Sequence, residues 1–439
     1  MQQPVIVVTG ANGGVGYGIC QRLLFQLSEP NPTDINIIAT DSSNSYSNSP
    51  NNPDGDTRRH ADEFPLPCEG ITLIMGCRSL KRAEAAKMKL LRSFDAHVER
   101  LKRREGYTGH AERFRKNVRV EIHEVNLAMI SSISSFVEEL KANYPYVSHL
   151  IFNAGVAPFC GMDWVKLFKQ MTMSPMQAIT APKFYKQTWG ERSLDGYGWV
   201  WQCNVFGHYF MVCFLHRRND LIYAFRRQYK ALNSMLTTKK YPFDTRVIWT
   251  SSLEARKTYD SEDWQLKETE DPYGSSKYQM ELISSHLDRV SLKTTSESEK
   301  RVRHFVAHPG VCHTDIAREM IIPVLQYVKL WTFYLGRLFG SPNHTISLEN
   351  GAVSVVWLSI ISLAALSGLV DKSNPKAPVK FAAQTDWWGN SRVGVQEVGD
   401  WEKNQAEAEK LVQRCEGLCR EIEEEKRQPL MSETATERM

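Results

Sequence analysis

A tyrosine and a lysine four residues apart, Tyr273 and Lys277, stand in the stretch Pro272-Tyr273-Gly-Ser-Ser-Lys277. On a helix, positions i and i+4 share a face, so the ammonium can sit beside the phenol. A phenol with its ordinary pKa near ~10 is a poor acid or base at neutrality. A neighbouring cation stabilises the phenolate and is expected to lower that value. Just upstream, Thr250-Ser251-Ser252 closes an apolar run, Arg246-Val-Ile-Trp249, that reads as a buried strand. A serine hydroxyl at that strand end could hold a carbonyl oxygen. Ser252 is the candidate and Ser251 the alternative, because strand alternation lets only one of them face the site. Phenol, ammonium and hydroxyl together would suit carbonyl reduction or alcohol oxidation, provided a hydride carrier also binds. On its own a Tyr-x-x-x-Lys pair is ordinary helix surface, so the elements around it decide.

The first of those elements is a nucleotide site at the start of the chain. Val5-Ile-Val-Val8 is a short continuous apolar run, as expected for a strand buried on both faces. Thr9-Gly10-Ala11-Asn12-Gly13-Gly14-Val15-Gly16 follows, and Tyr17 to Leu27 reads as a helix. A glycine-rich turn between strand and helix lets the backbone approach a pyrophosphate, and the helix N-terminus favours the anion. Gly10, Asn12, Gly14 and Gly16 are the candidate contacts. Ile71 to Met75 reads as the next core strand, ending in Gly76-Cys77-Arg78. An acidic residue at that end would bind a ribose 2′-hydroxyl, whereas Arg78 suits a 2′-phosphate, so NADP(H) is the expected cofactor.

Further strands are read at Val118–Val125, ending in Asn126, at His149–Phe152, ending in Asn153-Ala154-Gly155, and at Val302–Ala307, ending in His308-Pro309-Gly310 and, shortly after, Thr314. Asn126, Asn153, Gly155 and Thr314 thereby join the candidate cofactor contacts, because open parallel sheets place ligands at the carboxyl ends of their strands. Asn204 opens a long apolar helix and is unusual there, since a buried amide needs partners. Residues 41–66 are rich in Pro, Asn, Ser and Asp and read as a disordered insertion. Ile35–Ala39 is expected as a stray strand outside the main sheet. Residues 156–200 read as a second insertion, shaping or covering the pocket.

The C-terminal part carries two apolar stretches. Residues 318–342 are rich in aromatics and interrupted by Pro323, Lys329 and Arg337, which argues against a membrane span and for a segment in the membrane interface or a pocket lid. Ala352 to Val370 is of nearly spanning length but stands where a last buried core helix is needed before the strand Val379–Ala382. Residues 1–400 are read as one domain, and 401–439 as an amphipathic helix to about Glu424 followed by a disordered tail.

The chain has 439 residues and a formal charge of +4. This mild basicity, without aromatic-interleaved basic motifs, gives no reason to expect a nucleic-acid partner. The nine cysteines are scattered, with no C-x-x-C pair to suggest a metal, and fit a reducing cytosolic face. The first residues already read as a strand, so no signal peptide is expected.

Alternating strands and helices after a glycine turn give a doubly wound parallel α/β sheet of Rossmann type. Thr9-Gly10-x-x-x-Gly14-x-Gly16, Asn153-Ala154-Gly155, Asn204, Ser252, Tyr273-x-x-x-Lys277 and Pro309-Gly310 occur in the order found in the short-chain dehydrogenase/reductases, which the chain resembles from Val5 to about Thr314. Gln202-Cys-Asn-Val-Phe-Gly-His-Tyr-Phe210, Trp249-Thr-Ser-Ser-Leu-Glu-Ala-Arg256, Asp271-Pro-Tyr-Gly-Ser-Ser-Lys-Tyr278, Leu338-Phe-Gly-Ser-Pro342 and Thr385-Asp-Trp-Trp-Gly-Asn390 resemble the 3-ketosteroid reductases of sterol C-4 demethylation. The fungal ergosterol branch is the nearer, and the vertebrate 17β-hydroxysteroid dehydrogenase type 7 is also similar. That resemblance implies NADPH-dependent reduction of the 3-ketone of 4-methyl sterols, at the cytosolic face of the endoplasmic reticulum membrane or on lipid droplets, beside the other enzymes of the pathway. It implies catalytic roles for Ser252, Tyr273, Lys277 and Asn204, with Tyr273 and Lys277 also touching the cofactor and Asn204 holding a water that links Lys277 to solvent. Asn126 departs from the family, which usually has Asp near the adenine. A reductase of another lipid ketone or aldehyde (a retinoid or a 17-ketosteroid), or a mainly structural member of a sterol-enzyme complex, are the rival readings.

Overall fold

Nine strands form one sheet in the order β2-β11-β10-β9-β8-β5-β1-β3-β4. The strands are β1 (Val5–Thr9), β2 (Ala39–Asp41), β3 (Thr72–Cys77), β4 (Arg119–Glu124), β5 (His149–Phe152), β8 (Thr245–Thr250), β9 (Val302–His308), β10 (Val379–Thr385) and β11 (Ser391–Glu397). A separate antiparallel pair is made by β6 (Phe159–Met162) and β7 (Tyr185–Gln187). The computed structural model describes residues 3–37, 39–41, 64–180, 182–216, 235–256, 259–295, 299–313, 323–366 and 377–436. The greater part of the expected insertion at 41–66 and the whole of the 217–234 stretch lie outside the described residues, as do Thr314 and the beginning of the 318–342 segment.

From β4 to β10 every neighbour pair is parallel. A fully parallel arrangement needs helices on both faces, and its strands read as continuous apolar runs for that reason. In β1, Ile6 and Val8 pack on one side, with α1 (Gly14–Leu27), α2 (Leu80–Lys102) and α12 (Val353–Ile360). Val5 and Val7 pack on the other, with α4 (Ile130–Asn143), α8 (Gly207–His216) and α9 (Pro272–Thr294). The two-residue alternation recurs in β3, β5 and β8, so each strand supplies both cores. Chain order reverses at β1, with β3 on one side and β5 on the other. That switch point opens a crevice at the strand ends.

Three expectations change. The segment around 35–41 is not outside the sheet: a 3-10 turn covers Thr33–Asn36, and Ala39–Asp41 pairs parallel with β11 at the sheet edge. The reason is that β11 runs antiparallel to β10 and leaves an unpaired edge for a short strand to cover. The 352–370 run does hold a buried helix, yet α12 stops at Ile360, and among the described residues no helix is long and apolar enough to cross a membrane. The closing helix, Trp401–Thr436, continues past Glu424; Leu411, Val412, Cys415, Cys419 and Ile422 bury its inner face against α8 and α9. Within 156–200, α5 (Trp164–Met173) and α6 (Pro175–Thr180) are carried by the β6–β7 hairpin.

Candidate active site

The glycine turn after β1 is shaped by contact rather than by flexibility. Gly10 and Gly14 have positive φ, +68° and +51°, the left-handed region that suits glycine. Gly16 is held for a different reason: a Cβ there would lie on the Gly10 carbonyl oxygen and 2.5 Å from Asn153 Nδ2. Asn153 itself ties β5 to the turn, donating from Nδ2 to the Thr9 carbonyl at 3.1 Å. The Thr9 hydroxyl accepts the backbone N–H groups of Asn153 and Ala154, both at 3.0 Å, and also meets His208 Nε2. Asn12 is half-buried in this turn, and its backbone and that of Ala11 hydrogen-bond to the Cys77 thiol. The result is a concave backbone surface at the start of α1, with no acidic residue in that helix's first turn. Such a surface fits a dinucleotide pyrophosphate. Arg78 is exposed directly after β3, on the side where the ribose of a dinucleotide would lie.

Two serines at the end of β8 separate cleanly. Ser251 is buried, and its hydroxyl donates to Glu281 Oε1 at 2.7 Å, away from the crevice. Ser252 is half-buried and hydrogen-bonded to the Tyr273 phenol, while its oxygen accepts from the Glu254 N–H at 3.1 Å. The alternation that sequence left open therefore resolves with Ser252 toward the tyrosine. Tyr273 lies in the first turn of α9, which starts with an Asp271 N-cap and Pro272. Lys277 Nζ lies 5.8 Å from the Tyr273 ring centroid and donates to the Thr250 carbonyl at 2.9 Å. Burial holds the Lys277 pKa down to about 8, and the Glu281 carboxylate partly opposes that drop.

The phenol differs from expectation. Its pKa is pushed up from 10, first by burial and then by the Glu254 carboxylate, with the Ser252 hydrogen bond acting the other way. The ammonium faces the ring and is bonded to Thr250, not to the phenol oxygen, so its acidifying effect does not dominate. A phenol so placed stays protonated at neutral pH and is a proton donor rather than a base.

Asn204 sits in a five-residue π-helical segment, Gln202–Phe206, between α7 (Trp199–Trp201) and α8. Segments of this kind often mark functional sites because they re-aim one side chain. Its Oδ1 accepts the Val156 N–H at 2.8 Å, and its Nδ2 donates to the Val156 carbonyl and the Ser276 hydroxyl, both at 2.9 Å. The side chain is thus a brace between the β5 loop and α9, while its backbone carbonyl pairs with His208 Nδ1 at 3.2 Å. A Cβ on Gly155 would meet Asn204 Oδ1 at 3.0 Å and Lys277 Nζ at 3.6 Å, so this glycine lets loop, amide and ammonium close up. Asn126 folds back on its own turn, its Oδ1 accepting from the Ala128 N–H at 3.2 Å. Thr314 cannot be placed with these groups, since it lies outside the described residues.

Several site residues carried no sequence signal. Gln187, at the end of β7, accepts the Tyr273 N–H through Oε1 at 3.1 Å and donates to Asp271. Arg256 pairs with the same Asp271 carboxylate. Phe159, on β6, packs against the Tyr273 ring with centroids 5.6 Å apart. Glu281 does carry a signal in the sequence: it stands four residues beyond Lys277 on the same helical face.

No family model matches the chain. Among curated proteins it is 28% identical to the 3-keto-steroid reductase of Schizosaccharomyces pombe, over 88% of this chain and 88% of that one. It is 25% identical to the 3-keto-steroid reductase of Aspergillus fumigatus, over 90% of this chain and 82% of that one. It is 29% identical to that of Debaryomyces hansenii, over 78% and 77%. Among solved structures it is similar to a 3-oxoacyl-[acyl-carrier protein] reductase from Brucella melitensis in complex with NAD, at 14% identity and a TM-score of 0.44, covering 84% of this chain and 94% of that one. It is also similar to the L-sorbose reductase of Gluconobacter frateurii complexed with NADPH and L-sorbose, at 13% identity and a TM-score of 0.42, covering 82% and 90%. Along most of its length, then, the chain is a homologue of proteins named 3-keto-steroid reductase in several fungi.

Proposed function

We propose that the protein reduces the C3 ketone of 4-methyl sterol intermediates to the 3β-alcohol with NADPH. The observation that carries this reading is the convergence of Ser252, Tyr273 and Lys277 beside the glycine turn of β1. Gly10, Gly14 and Gly16 would cradle the pyrophosphate, and Arg78 would pair with a 2′-phosphate. When bound, the reduced nicotinamide supplies a hydride. Ser252 and Tyr273 would hold the ketone oxygen between their hydroxyls. As that oxygen gains negative charge, Tyr273 donates its proton, and the Lys277 ammonium stabilises the phenolate left behind. The names of the relatives supply the substrate class; the half-buried Tyr273 ring, packed against the half-buried Phe159 ring, supports a flat apolar ketone.

Membrane contact is part of the same proposal. α10 (Pro323–Leu338) exposes Trp331, Tyr334, Leu335 and Leu338 along one face. α5 exposes Trp164 and Phe168, and α6 lies against both helices. Trp388, 91% exposed, stands on the turn after β10 whose Gly389 approaches Arg337 of α10. Lys166, Lys169, Lys183 and Lys186 surround α5 and α6 with only Asp163 among them, which suits an anionic lipid surface. Because β6 carries both Phe159 and the approach to α5, such a surface would sit near the site entrance. By resemblance the surface would be that of the endoplasmic reticulum or a lipid droplet, shared with the other C-4 demethylation enzymes.

One experiment tests both halves. The protein is mixed with phosphatidylcholine–phosphatidylserine vesicles carrying a 4-methyl-3-ketosterol, and NADPH oxidation and co-sedimentation are measured with wild type and Tyr273→Phe. Both should sediment with the vesicles, and only the wild type should oxidise NADPH, with turnover lowered at least ~100-fold in the variant. Near-normal turnover by Tyr273→Phe would overturn the catalytic assignment, and a soluble wild type would overturn the membrane one.

A further inference from the structure

His208 stands four residues beyond Asn204, at the start of α8, and is fully buried. Its ring stacks on Phe152 of β5 with centroids 4.5 Å apart. Both ring nitrogens are engaged. Nδ1 lies 3.2 Å from the Asn204 carbonyl oxygen, and Nε2 lies 3.3 Å from the Thr9 hydroxyl. A carbonyl oxygen only accepts, so Nδ1 bears the proton of the bond to Asn204. Burial holds the His208 pKa down to about 3, with the Lys277 ammonium acting in the same direction, so the ring is neutral and carries a single N–H. Nε2 is therefore an acceptor, and the Thr9 hydroxyl donates to it. That hydroxyl already accepts the Asn153 and Ala154 N–H groups and has only its own proton to give. The other acceptor in reach, the Ile151 carbonyl, is farther off at 3.4 Å and belongs to a strand paired on both edges.

From Asn204 the bonds continue in the same sense. Its Nδ2 donates to the Ser276 hydroxyl at 2.9 Å, and that hydroxyl donates to the Tyr273 carbonyl at 2.7 Å. Thr9, His208, Asn204 and Ser276 are each 0% exposed, so bulk water does not compete for these bonds. A buried polar network with every member satisfied is rigid and fixes one arrangement of the elements it joins. We propose that His208 is a positioning residue: an imidazole locked in one tautomer, it ties the glycine turn at Thr9 to the Asn204 segment and, through Asn204 and Ser276, to the backbone of Tyr273. The dinucleotide surface and the proton donor are thereby held in register from beneath. Each nitrogen has its own task. Nε2 governs Thr9 and, through it, the fit of the Asn153-Ala154 loop against the turn, while Nδ1 governs the Asn204 brace on α9. The inference rests on the reductase reading for the meaning of its two ends, though not for the bonds themselves.

Two substitutions separate the nitrogens. In His208→Asn an amide N–H stands in for Nδ1 and nothing reaches Thr9. In His208→Gln the longer amide reaches Thr9 and leaves the Asn204 carbonyl without its donor. NADPH Kd is measured by fluorescence titration and kcat by 4-methyl-3-ketosterol reduction, with thermal melting to confirm folding. His208→Asn should raise Kd about 10-fold and lower kcat by less, whereas His208→Gln should lower kcat about 10-fold and raise Kd by less. A ring that merely filled the core would move both constants alike in the two variants, or neither, and either result overturns the proposal. A second measurement needs no turnover and no stable variant: nitrogen NMR of the wild-type protein labelled with 15N-histidine. At neutral pH His208 should show one tautomer, protonated at Nδ1; protonation at Nε2, or a mixture, overturns the proposal. If the tautomer is as stated while the wild type reduces no ketosterol, the positioning role stands and the reductase reading falls.

Discussion

Ser251→Ala and Ser252→Ala should fail in opposite ways. Ser251 loses a buried hydrogen bond to an ionised carboxylate, worth about 2 kcal/mol. Glu281 keeps Lys380, so no charge is stranded. With an unfolding entropy of about 2.1 cal/mol/K per residue over the 439-residue chain, roughly 0.9 kcal/mol/K in all, that loss lowers Tm by about 2 °C. Turnover should stay within about fivefold of wild type, because the hydroxyl points away from the phenol. Ser252 is half-buried, bonding the Glu254 N–H of its own turn and the Tyr273 phenol, so its removal should cost about 1 kcal/mol. In the proposed reaction, however, its hydroxyl is the second donor to the ketone oxygen. Losing such a donor costs about 10²–10³ in kcat, or roughly 3–4 kcal/mol of barrier. Calorimetry should therefore rank Ser251→Ala as the less stable, and NADPH oxidation should rank Ser252→Ala as the slower. If Ser251→Ala loses turnover as severely as Ser252→Ala, or if the two orders coincide, the separation of a structural from a reacting serine is refuted.

Gly16→Ala should weaken NADPH binding at least ~10-fold in a fluorescence titration, because the new methyl would meet the Gly10 carbonyl and the bonded Asn153 amide, neither of which can yield. Gly13→Ala is the control: a Cβ there meets nothing within 4 Å, and affinity should change less than about threefold; equal loss in both would refute the close-packing account. Stability should fall with acid. His149, His208 and His308 are buried, and burial holds each pKa down to about 3 from 6.5. A base depressed on folding contributes fully above its unfolded pKa, and its contribution is lost as pH drops from about 6.5 toward about 3, since only the unfolded chain takes up the proton. At pH 5 this is about 2 kcal/mol per imidazole, so Tm should fall by about 5 °C or more between pH 7 and pH 5; a flat profile over that range would refute it.

Much of this architecture was legible in the order of residues. The continuous apolar runs at Val5–Val8, Ile71–Met75 and His149–Phe152 are what strands covered on both faces must look like, and each proved to be one. The positions of Tyr273 and Lys277 followed from helical spacing alone. The edge strand Ala39–Asp41 did not, because its place depends on β11, more than three hundred residues away. The direction of the Tyr273 pKa was misjudged for a similar reason: spacing puts the ammonium near the ring, whereas burial and Glu254 depend on the folded surroundings. Asn204 was singled out as a buried amide needing partners, but Val156 and Ser276 could not be named without coordinates.

The hairpin of β6 and β7 reaches the tyrosine twice, through Phe159 at the ring and Gln187 at the backbone N–H. On the proposed reading, whatever recognises the shape of the ketone in this excursion is thereby welded to the proton donor. Transplanting residues 156–200 from a relative to alter substrate choice would drag the phenol with it unless Gln187 and Asp271 travelled as a matched set. Selectivity and rate in this enzyme are two readings of one mechanical joint.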